Sequence, residues 1–462
     1  MDGDVRINPY LAGNFAPVRS EDDFDLEVAG EIPAALRGAL FRIGPNPQFE
    51  PRDPNHHWFV GDGMVHGFYL ADGKARYRNR YVRTPKWETE HEAGRSLFAG
   101  FNPMLSDPSV AGKDSGVANT NIVWHAGRLM ALEEGHKPFA MDPRDLGSKG
   151  YVEAYRGRVT AHPKIDPATG EMLWFGYGVG DMPLSAGMSY GVTAADGQVV
   201  RRQDFQAPYS SMVHDFMVTQ NHVLFPVLPL TGSLERAMTG RPAFAWEPEK
   251  GSFVGVMRRD ADVSTIRWFN TEACYVFHPL NAWEEGDKLY ADVMRYDVAP
   301  LFPNPDGSAG ARSAARLVRW TFDLAGASDA IKEEPLDDLD GEFPRVDPRV
   351  ETRKHRHGWY AADPGGAQTI RQSAIAHLDF QTGKRELYAL DGGDQTSEPV
   401  FVPRAPDAAE GDGWVTAVVW RAGEDRSDLL IFEGLDIAKG PIAVAKVPRR
   451  VPFGFHGNWA SF

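Results

Sequence analysis

The sequence predicts an all-β fold, either a β-propeller or a similar closed β-architecture. The 462-residue chain carries 47 glycines and 34 prolines, and turn-forming residues at such short intervals favour many short strands over long helices. Runs of β-branched and aromatic residues recur after Asp-Gly or similar turns along nearly the whole chain. Helical patterns are few and short. Because radial repetition protects the edges of short sheets, this recurring pattern is typical of a propeller.

Individual strands are indicated by runs of β-forming residues that follow turns. The predicted strands cover residues 73–83, 127–132, 172–177, 221–227, 286–293, 414–420 and 429–432. Two further segments, residues 325–341 and 403–413, are charged or contain proline and are predicted as surface loops. No long low-complexity linker divides the chain, so one large domain over residues 1–462 is preferred to the roughly three domains that its length suggests.

Only two short helices are expected. Residues 32–37 can form one turn, because Pro33 stands just inside its start, where proline is tolerated. Residues 233–238 can form another, with Ser233 as the N-cap.

Charge and cysteine content narrow the functional class. The net charge of −15 argues against nucleic acid as a partner. A single cysteine, Cys274, excludes disulfides within the chain and cysteine-rich metal sites. The first ten residues lack the pattern of a signal peptide, and no run of 18 apolar residues is present. We therefore expect a soluble, cytoplasmic enzyme.

Any metal in this chain must be held by histidines and carboxylates. Four histidines lie at the edge of an apolar or aromatic run, next to a turn-forming or polar residue: His162, His214, His278 and His456. Such positions fit strand ends that converge on a propeller axis, although single histidines in this context are often hydrogen-bonded core residues. His66 shares the context and stays open at this point. Neutral imidazoles suit iron, zinc, copper or nickel.

Metal-bound imidazoles usually donate their second N–H to a carboxylate. The candidates in apolar or proline-bounded settings are Glu134, Glu342 and Glu398, although a solvated loop position is an alternative for each of them.

Nine motifs in order resemble those of the carotenoid cleavage oxygenase family. They are residues 36–47 (LRGALFRIGPNP), 61–68 (GDGMVHGF), 118–121 (ANTN), 161–164 (AHPK), 214–216 (HDF), 277–284 (FHPLNAWE), 342–344 (EFP), 397–399 (SEP) and 456–459 (HGNW). Each motif alone is weak, but their order covers nearly the whole chain and is highly specific.

The resemblance implies a seven-bladed β-propeller with a dome of loops and helices, and an N-terminal arm over residues 1–35. It implies ferrous iron on the axis, bound by His162, His214, His278 and His456, with hydrogen bonds from these rings to Glu134, Glu342 and Glu398. His66 would be structural. The implied reaction inserts both atoms of O₂ across a C=C bond and yields two carbonyl products, with a hydrophobic alkene and O₂ as partners.

The substrate is less certain at this stage. Long blocks are similar to the bacterial lignostilbene and isoeugenol branch, which recognises a phenolic hydroxyl with a tyrosine and a lysine. Phe101 and Glu133 stand at the matching positions, which favours an apolar polyene such as a carotenoid or apocarotenoid. A stilbene or phenylpropenoid substrate is the alternative. The residues expected to line the substrate tunnel are Phe59, Phe101, Glu133 and Phe277.

Other readings remain open on the sequence alone. A propeller that serves only as a binding module would need no metal, and a zinc hydrolase would need no O₂. Residues 97–101 are a short candidate for peripheral contact with a membrane, although the acidic charge gives it no electrostatic support. The sequence does not indicate the oligomeric state.

Overall fold

The computed structural model describes residues 8–366 and 372–461. Seven antiparallel sheets of these residues form the seven blades of a β-propeller, so the predicted fold class is confirmed. Residues 1–7, 367–371 and 462 of the predicted domain lie outside the described part of the chain. Among the described residues, no helix has both the length and the apolar character needed to cross a membrane.

The first four blades follow one another along the chain, apart from one strand supplied by the C-terminal part. Blade I contains β1 (Asp23–Asp25), β3 (Gly38–Pro45), β4 (Gly63–Ala71), β5 (Lys74–Tyr81) and β33 (Gly457–Ala460). Blade II contains β6 (Asn121–His125), β7 (Arg128–Leu132), β8 (Phe139–Met141) and β9 (Ser148–Tyr151). Blade III contains β10 (Lys164–Ile165), β11 (Met172–Tyr177), β12 (Gly187–Thr193) and β13 (Val199–Gln206). Blade IV contains β14 (Met217–Val218), β15 (His222–Val227), β18 (Ser252–Arg258) and β19 (Arg267–Thr271).

The last three blades complete the ring. Blade V contains β20 (Tyr275–Glu285), β21 (Lys288–Tyr296), β22 (Arg316–Asp323) and β23 (Lys332–Pro335). Blade VI contains β24 (Gly341–Val346), β25 (His357–Ala362), β26 (Ala374–Asp379) and β27 (Lys384–Ala389). Blade VII contains β28 (Gln395–Thr396), β29 (Val400–Pro403), β30 (Gly413–Arg421), β31 (Arg426–Glu433), β32 (Ala443–Val447) and β2 (Glu27–Gly30).

Blade I is closed by strands from both ends of the chain. β33 pairs antiparallel with β3, with Arg42 opposite Gly457. Just before β33, the chain passes so close to β3 that a Cβ atom on Gly44 would lie 2.4 Å from the Cα atom of Gly454. The N-terminal segment adds β1 to blade I and β2 to blade VII, in each case at the edge opposite the innermost strand, so it links the outer edges of these two blades.

The predicted strands coincide with observed strands because the order of polar and apolar residues in each sequence follows the burial of the side chains. In β5, alternate residues are buried, as the sequence K-A-R-Y-R-N-R-Y requires for a sheet with one solvated face. The strand predicted at 172–177 is β11, of which the first five residues are buried. Cys274 is buried immediately before β20, and burial raises the pKa of its thiol to about 12, which makes it unreactive at neutral pH.

The helices differ from the prediction in two of three places. α2 (Leu234–Met238) is capped by Ser233, as expected. Residues 32–37 form a turn instead of a helix and lead into β3. α1 (Pro85–Ala93) was not predicted, because its sequence is polar on nearly every face, although Thr84 as N-cap and Gly94 after its last residue are typical end signals. The predicted loop 325–341 also contains β23.

α2 lies in an excursion from blade IV. Two short strands, β16 (Leu230–Gly232) and β17 (Phe244–Trp246), pair with each other on either side of this helix.

Candidate metal centre

Four histidines from four blades meet on the propeller axis. His162 precedes β10, His214 precedes β14, His278 lies within β20, and His456 directly precedes β33. One ring nitrogen from each lies within 4.8 Å of the others. The Nε2 atoms of His162 and His214 are 3.0 Å apart, and those of His214 and His278 are 3.1 Å apart. Lone pairs that converge so closely are arranged for one shared metal ion.

Three of these rings are held from behind by the predicted glutamates. His278 Nδ1 donates to Glu342 Oε2 at 2.5 Å, and His456 Nδ1 donates to Glu398 Oε1 at 3.0 Å. His214 Nδ1 donates to Glu134 Oε1. A proton held on Nδ1 leaves the Nε2 lone pair free, so these carboxylates orient the rings for coordination through Nε2.

Each of the seven blades contributes one of these seven side chains. Blades III, IV, V and I supply the four histidines, and blades II, VI and VII supply the three glutamates. The glutamates stand where inner strands β24 and β28–β29 and the segment after β7 approach the axis. The centre therefore depends on all seven blades of the closed ring, and no single segment of the chain can form it.

Further groups fix the carboxylates, and sequence reasoning did not find them. Tyr296 donates from its hydroxyl to Glu342 Oε1 at 3.0 Å, and Tyr177 donates to Glu134. Burial and the adjacent carboxylate raise the pKa of Tyr296 well above its usual value, so its hydroxyl stays a donor. Both tyrosines end long buried strands, β21 and β11, which was their only signal in the sequence.

The Glu398 carboxylate is held by positive charge and by the backbone. The amide N–H of Gly457 donates to Glu398 Oε2 at 2.8 Å, and Arg345 donates to Oε1 at 3.4 Å. Burial alone would raise the pKa of Glu398. The Arg345 guanidinium and His456 outweigh this effect and lower the pKa to about 2. The carboxylate is therefore ionised at neutral pH.

His162 differs from the other three histidines. Its Nδ1 lies 3.7 Å from Asp215 Oδ2, beyond hydrogen-bond distance, and Asp215 instead forms an ion pair with Lys164 at 2.8 Å. Burial and the neighbouring His214 lower the pKa of His162 well below its ordinary value. Asp215 was missed as a neighbour of the centre, although it directly follows His214 in the sequence.

The donor set fits a divalent transition metal. Burial lowers the pKa of His278 and of His456, which favours neutral rings that can donate a lone pair. Burial also disfavours the charged form of His214, but the Glu134 carboxylate outweighs it and raises the pKa of that ring.

His66, the residue that context left open, is buried elsewhere, with its Nδ1 2.7 Å from the hydroxyl of Tyr77. It does not belong to the four-histidine group.

A cavity of about 840 Å³ opens onto the centre and is lined by His214, His278 and His456. Its other walls near the centre are mostly aromatic: Tyr10, Phe15, Trp58, Phe59, Phe277, Phe302, Phe343 and Phe455. Phe59 and Phe277 are the two predicted tunnel residues that the structure places on this wall. A cavity of this size and character suits a hydrophobic small molecule.

Phe101 and Glu133 are not among the described residues that line this cavity. Phe101 is 49% exposed and packs against His57 at a ring-centroid distance of 5.4 Å. The Glu133 carboxylate accepts hydrogen bonds from the backbone N–H groups of Val117 at 2.7 Å and Ala118 at 3.2 Å, which turns it towards the loop that precedes β6.

The segment 97–101 contributes one exposed aromatic side chain. Leu97, Phe98 and Ala99 are buried, and Phe101 is exposed.

Comparison with known proteins agrees with this architecture. Residues 15–461 match the family described as RPE65, retinal pigment epithelial membrane protein. Isoeugenol monooxygenase from Pseudomonas putida is 40% identical over 99% of this chain and 98% of its own length. Lignostilbene-alpha,beta-dioxygenase isozyme III from Sphingomonas paucimobilis is 38% identical over 97% of this chain and 96% of its own.

Solved structures show the same fold. The lignostilbene dioxygenase of Pseudomonas brassicacearum superposes with a TM-score of 0.94 at 36% identity and covers 98% of this chain and 99% of its own. The fold and the centre thus define an oxygenase, as the sequence predicted. The chain belongs to the RPE65 and carotenoid cleavage oxygenase family, and the resemblance stated from its motifs is confirmed.

Proposed function

We propose that the protein is an iron(II)-dependent dioxygenase that cleaves the C=C bond of a conjugated alkene into two carbonyl products. The observation that carries the proposal is the four-histidine centre, of which three rings form the inner wall of an aromatic cavity. An apolar alkene in that cavity can therefore lie against these rings.

Iron(II) bound by His162, His214, His278 and His456 would supply the binding and activation of O₂, since four neutral ligands leave coordination positions open. In the overall reaction both oxygen atoms enter the products: the C=C bond is broken, two C=O bonds form, and no external reductant is consumed.

The protein's own contribution is positioning and exclusion of water. Phe59 and Phe277 flank the cavity beside the centre, with ring centroids 6.5 Å apart and nearly perpendicular planes, and can hold a planar conjugated system by edge and face contacts. The nearby carboxylates are engaged with imidazole N–H groups and tyrosine hydroxyls. We therefore assign no acid or base to the bond-breaking step.

For the substrate we propose an aryl alkene of the stilbene or phenylpropene type. The relatives named for isoeugenol and lignostilbene are 38–40% identical to this chain over nearly all of its length. The sequence argument for a polyene depended on Phe101 and Glu133 in the tunnel wall, and neither side chain lines the cavity described here.

An apocarotenoid is the second candidate. The volume of about 840 Å³ exceeds what a stilbene needs. Relatives named carotenoid cleavage oxygenases match at 36% identity in Neurospora crassa and 34% in Mycobacterium tuberculosis.

The test combines metal analysis with isotope labelling. Protein purified without added metal, then loaded anaerobically with iron(II) or zinc, is given trans-4-hydroxystilbene, isoeugenol or an apocarotenal under ¹⁸O₂. We expect aldehyde products with iron only, and label in both carbonyl groups. Carbonyl products that form with iron but without label from ¹⁸O₂ would contradict the dioxygenase, and a folded protein that binds no metal would indicate a binding module.

A matched pair of variants distinguishes damage to the metal centre from the general effect of replacing a buried histidine. We expect His162→Ala to lose bound metal and activity. His222→Ala should keep both, because His222 pairs with Glu284 at 2.8 Å outside the centre. Comparison of kcat/KM values among the three alkenes decides the substrate class, and a faster reaction with the apocarotenal would overturn the aryl alkene proposal.

A further inference from the structure

Among the residues that the structure describes, His162 is the one ring of the centre that no carboxylate holds from behind. The other three rings donate their Nδ1 protons to Glu134, Glu342 and Glu398. The nearer oxygen of Asp215, Oδ2, lies 3.7 Å from His162 Nδ1, which is too far for a hydrogen bond. Because a carboxylate partner makes an imidazole more basic, we expect His162 to be the weakest donor of the four.

Asp215 lies beside this ring, but its oxygens are engaged by other donors. The residue directly follows the ligand His214 and is buried. Lys164 Nζ lies 2.8 Å from Asp215 Oδ1 and donates to Oδ2 at 3.0 Å, so the ammonium group contacts both oxygens. The N–H of Phe216 donates to Oδ1 at 2.6 Å. The oxygen nearer to His162 therefore has its donor in Lys164.

The ion pair joins two neighbouring blades next to two ligands. Lys164 begins β10, the strand of blade III that follows His162. Asp215 stands between His214 and β14, the corresponding strand of blade IV. Both charges are thus fixed close to the axis by the same chain segments that supply the imidazoles.

A buried carboxylate that loses its cation is costly, and it takes the nearest remaining donor. For Asp215 that donor is the Nδ1–H of His162, because a shift of about 0.8 Å would bring the two atoms to the usual hydrogen-bond distance of about 2.9 Å. Lys164 opposes this shift in two ways. Its charge neutralises Asp215, and its hydrogen bonds hold the carboxylate where it is.

A cation beside a carboxylate does not have this effect everywhere in the centre. Arg345 donates to Glu398 Oε1 at 3.4 Å, yet the same oxygen still accepts from His456 Nδ1 at 3.0 Å. The separation of Asp215 from His162 is therefore specific to the place of Lys164.

We propose that Lys164 is a positioning residue that keeps Asp215 away from His162 and so holds the metal affinity of the centre below the value that its residues could reach. One ring stays a weaker donor than the other three, which leaves a bound metal more electron-poor. The inference rests on the proposed function, because it concerns the same metal centre.

Metal affinity tests the inference without turnover. Zinc binding to the full chain is measured by competition with a chelator of known affinity. We expect Lys164→Met to bind zinc about tenfold more tightly, the lower end of the usual effect of a carboxylate partner. The double variant with Lys164→Met and Asp215→Asn should bind zinc as the unaltered protein does, because the gain acts through Asp215. Loss of a merely structural ion pair would weaken binding instead.

The hydrogen bond has its own spectroscopic signature. In the cobalt(II) protein, the imidazole N–H protons of the ligands are shifted out of the ordinary range of proton NMR spectra, and their exchange with solvent can be followed. We expect one of the four protons, that of His162, to exchange faster than the others, because it makes no hydrogen bond. In Lys164→Met this exchange should become slow. The comparison within the unaltered protein does not depend on the folding of any variant.

Two control variants accompany Lys164→Met. Lys164→Arg keeps the charge and should keep both the zinc affinity and the fast proton. Lys446→Met removes a lysine that pairs with Glu27 at 2.6 Å on the outer strands of blade VII, and it should also change neither.

Three results would each overturn the inference. They are a folded Lys164→Met protein with unchanged or weaker zinc binding, a gain in affinity that persists in the double variant, and four equally protected N–H protons in the unaltered protein.

Product analysis under O₂ keeps the two proposals apart. Metal binding that does not respond to Lys164→Met would reject the role of Lys164 and leave the dioxygenase intact. The expected response to Lys164→Met in a protein that cleaves no alkene would reject the dioxygenase and retain the role of Lys164.

Discussion

Glu342 and Glu398 act on the metal centre through the rings that they hold. A carboxylate that accepts the Nδ1 proton fixes the tautomer of the imidazole and increases its basicity. In Glu342 both oxygens are engaged, one by His278 and the other by Tyr296, so an amide cannot reproduce both contacts.

We expect Glu342→Gln to weaken metal binding by about 10- to 100-fold, the usual effect of losing such a carboxylate. Competition with a chelator of known affinity measures this. Glu284→Gln is the control, since Glu284 accepts from His222 Nδ1 at 2.8 Å away from the centre. Equal weakening in both variants would show that the effect comes from general destabilisation.

At the scale of single residues, the sequence identified the four histidines but not all of the side chains that surround them. The context of an apolar run that meets a turn selected the four histidines together with His66, and the resemblance to the family was needed to set His66 apart. Asp215 and Tyr296 could not be assigned, because their roles depend on distances between blades. Glu133 shows the same limit: its neighbours in sequence do not reveal that its carboxylate binds the backbone of residues 117–118.

The contact between β3 and the segment before β33 is a sensitive point among the elements. Gly44 lies against the Cα of Gly454, two residues before His456, and the N–H of Ile43 donates to the carbonyl of His456 at 3.0 Å. A side chain at residue 44 would separate two backbones that position a metal ligand.

We expect Gly44→Ala to lower the free energy of unfolding by about 2–3 kcal/mol, because the backbone must shift to accept the methyl group. The midpoint of urea unfolding measures the change. Gly423→Ala serves as the control, since a Cβ atom there meets no described atom within 4 Å, and it should change stability by less than about 0.5 kcal/mol. Equal stability of both variants would contradict the close approach.

Strands were easier to predict than helices for a physical reason. In β5 and β11, the buried positions can be read from the order of polar and apolar residues in the sequence. α1 depends on a tertiary contact instead: the buried Lys86 pairs with Asp62 of another segment at 2.6 Å, in addition to Glu90 of the same helix at 2.8 Å. A buried lysine in a polar segment cannot be recognised before its partners from another segment are known.

At the scale of the whole molecule, buried histidines make stability depend on pH. Burial, as the largest cause, lowers the pKa of His56 to about 4, of His66 to about 3 and of His377 to about 4. In the unfolded chain these rings titrate near pH 6.5. Between pH 6.5 and about 4 the unfolded state therefore binds more protons than the native state, and stability falls as the pH falls.

Each such histidine contributes a slope of up to about 1.4 kcal/mol per pH unit in that window. We expect His66→Gln to reduce the dependence of the free energy of unfolding on pH by about the contribution of one histidine. Urea unfolding at several pH values from 7.5 to 4.5 measures this change. His91→Gln, which removes an imidazole at an exposed position on α1, is the control for the loss of a histidine in general. A slope that stays the same in His66→Gln would mean that His66 is not a source of the acid sensitivity.

The position of His456 directly before the strand that closes the ring has a practical consequence. A molecule in which β33 has not paired with β3 can offer three of the four imidazoles at most, however well its other blades are formed. The amount of bound metal therefore measures the fraction of molecules in which β33 is paired with β3. Spectroscopic measures of strand content do not distinguish these molecules from the others. In a refolding or stability experiment, the metal signal reports specifically on the last junction of the ring.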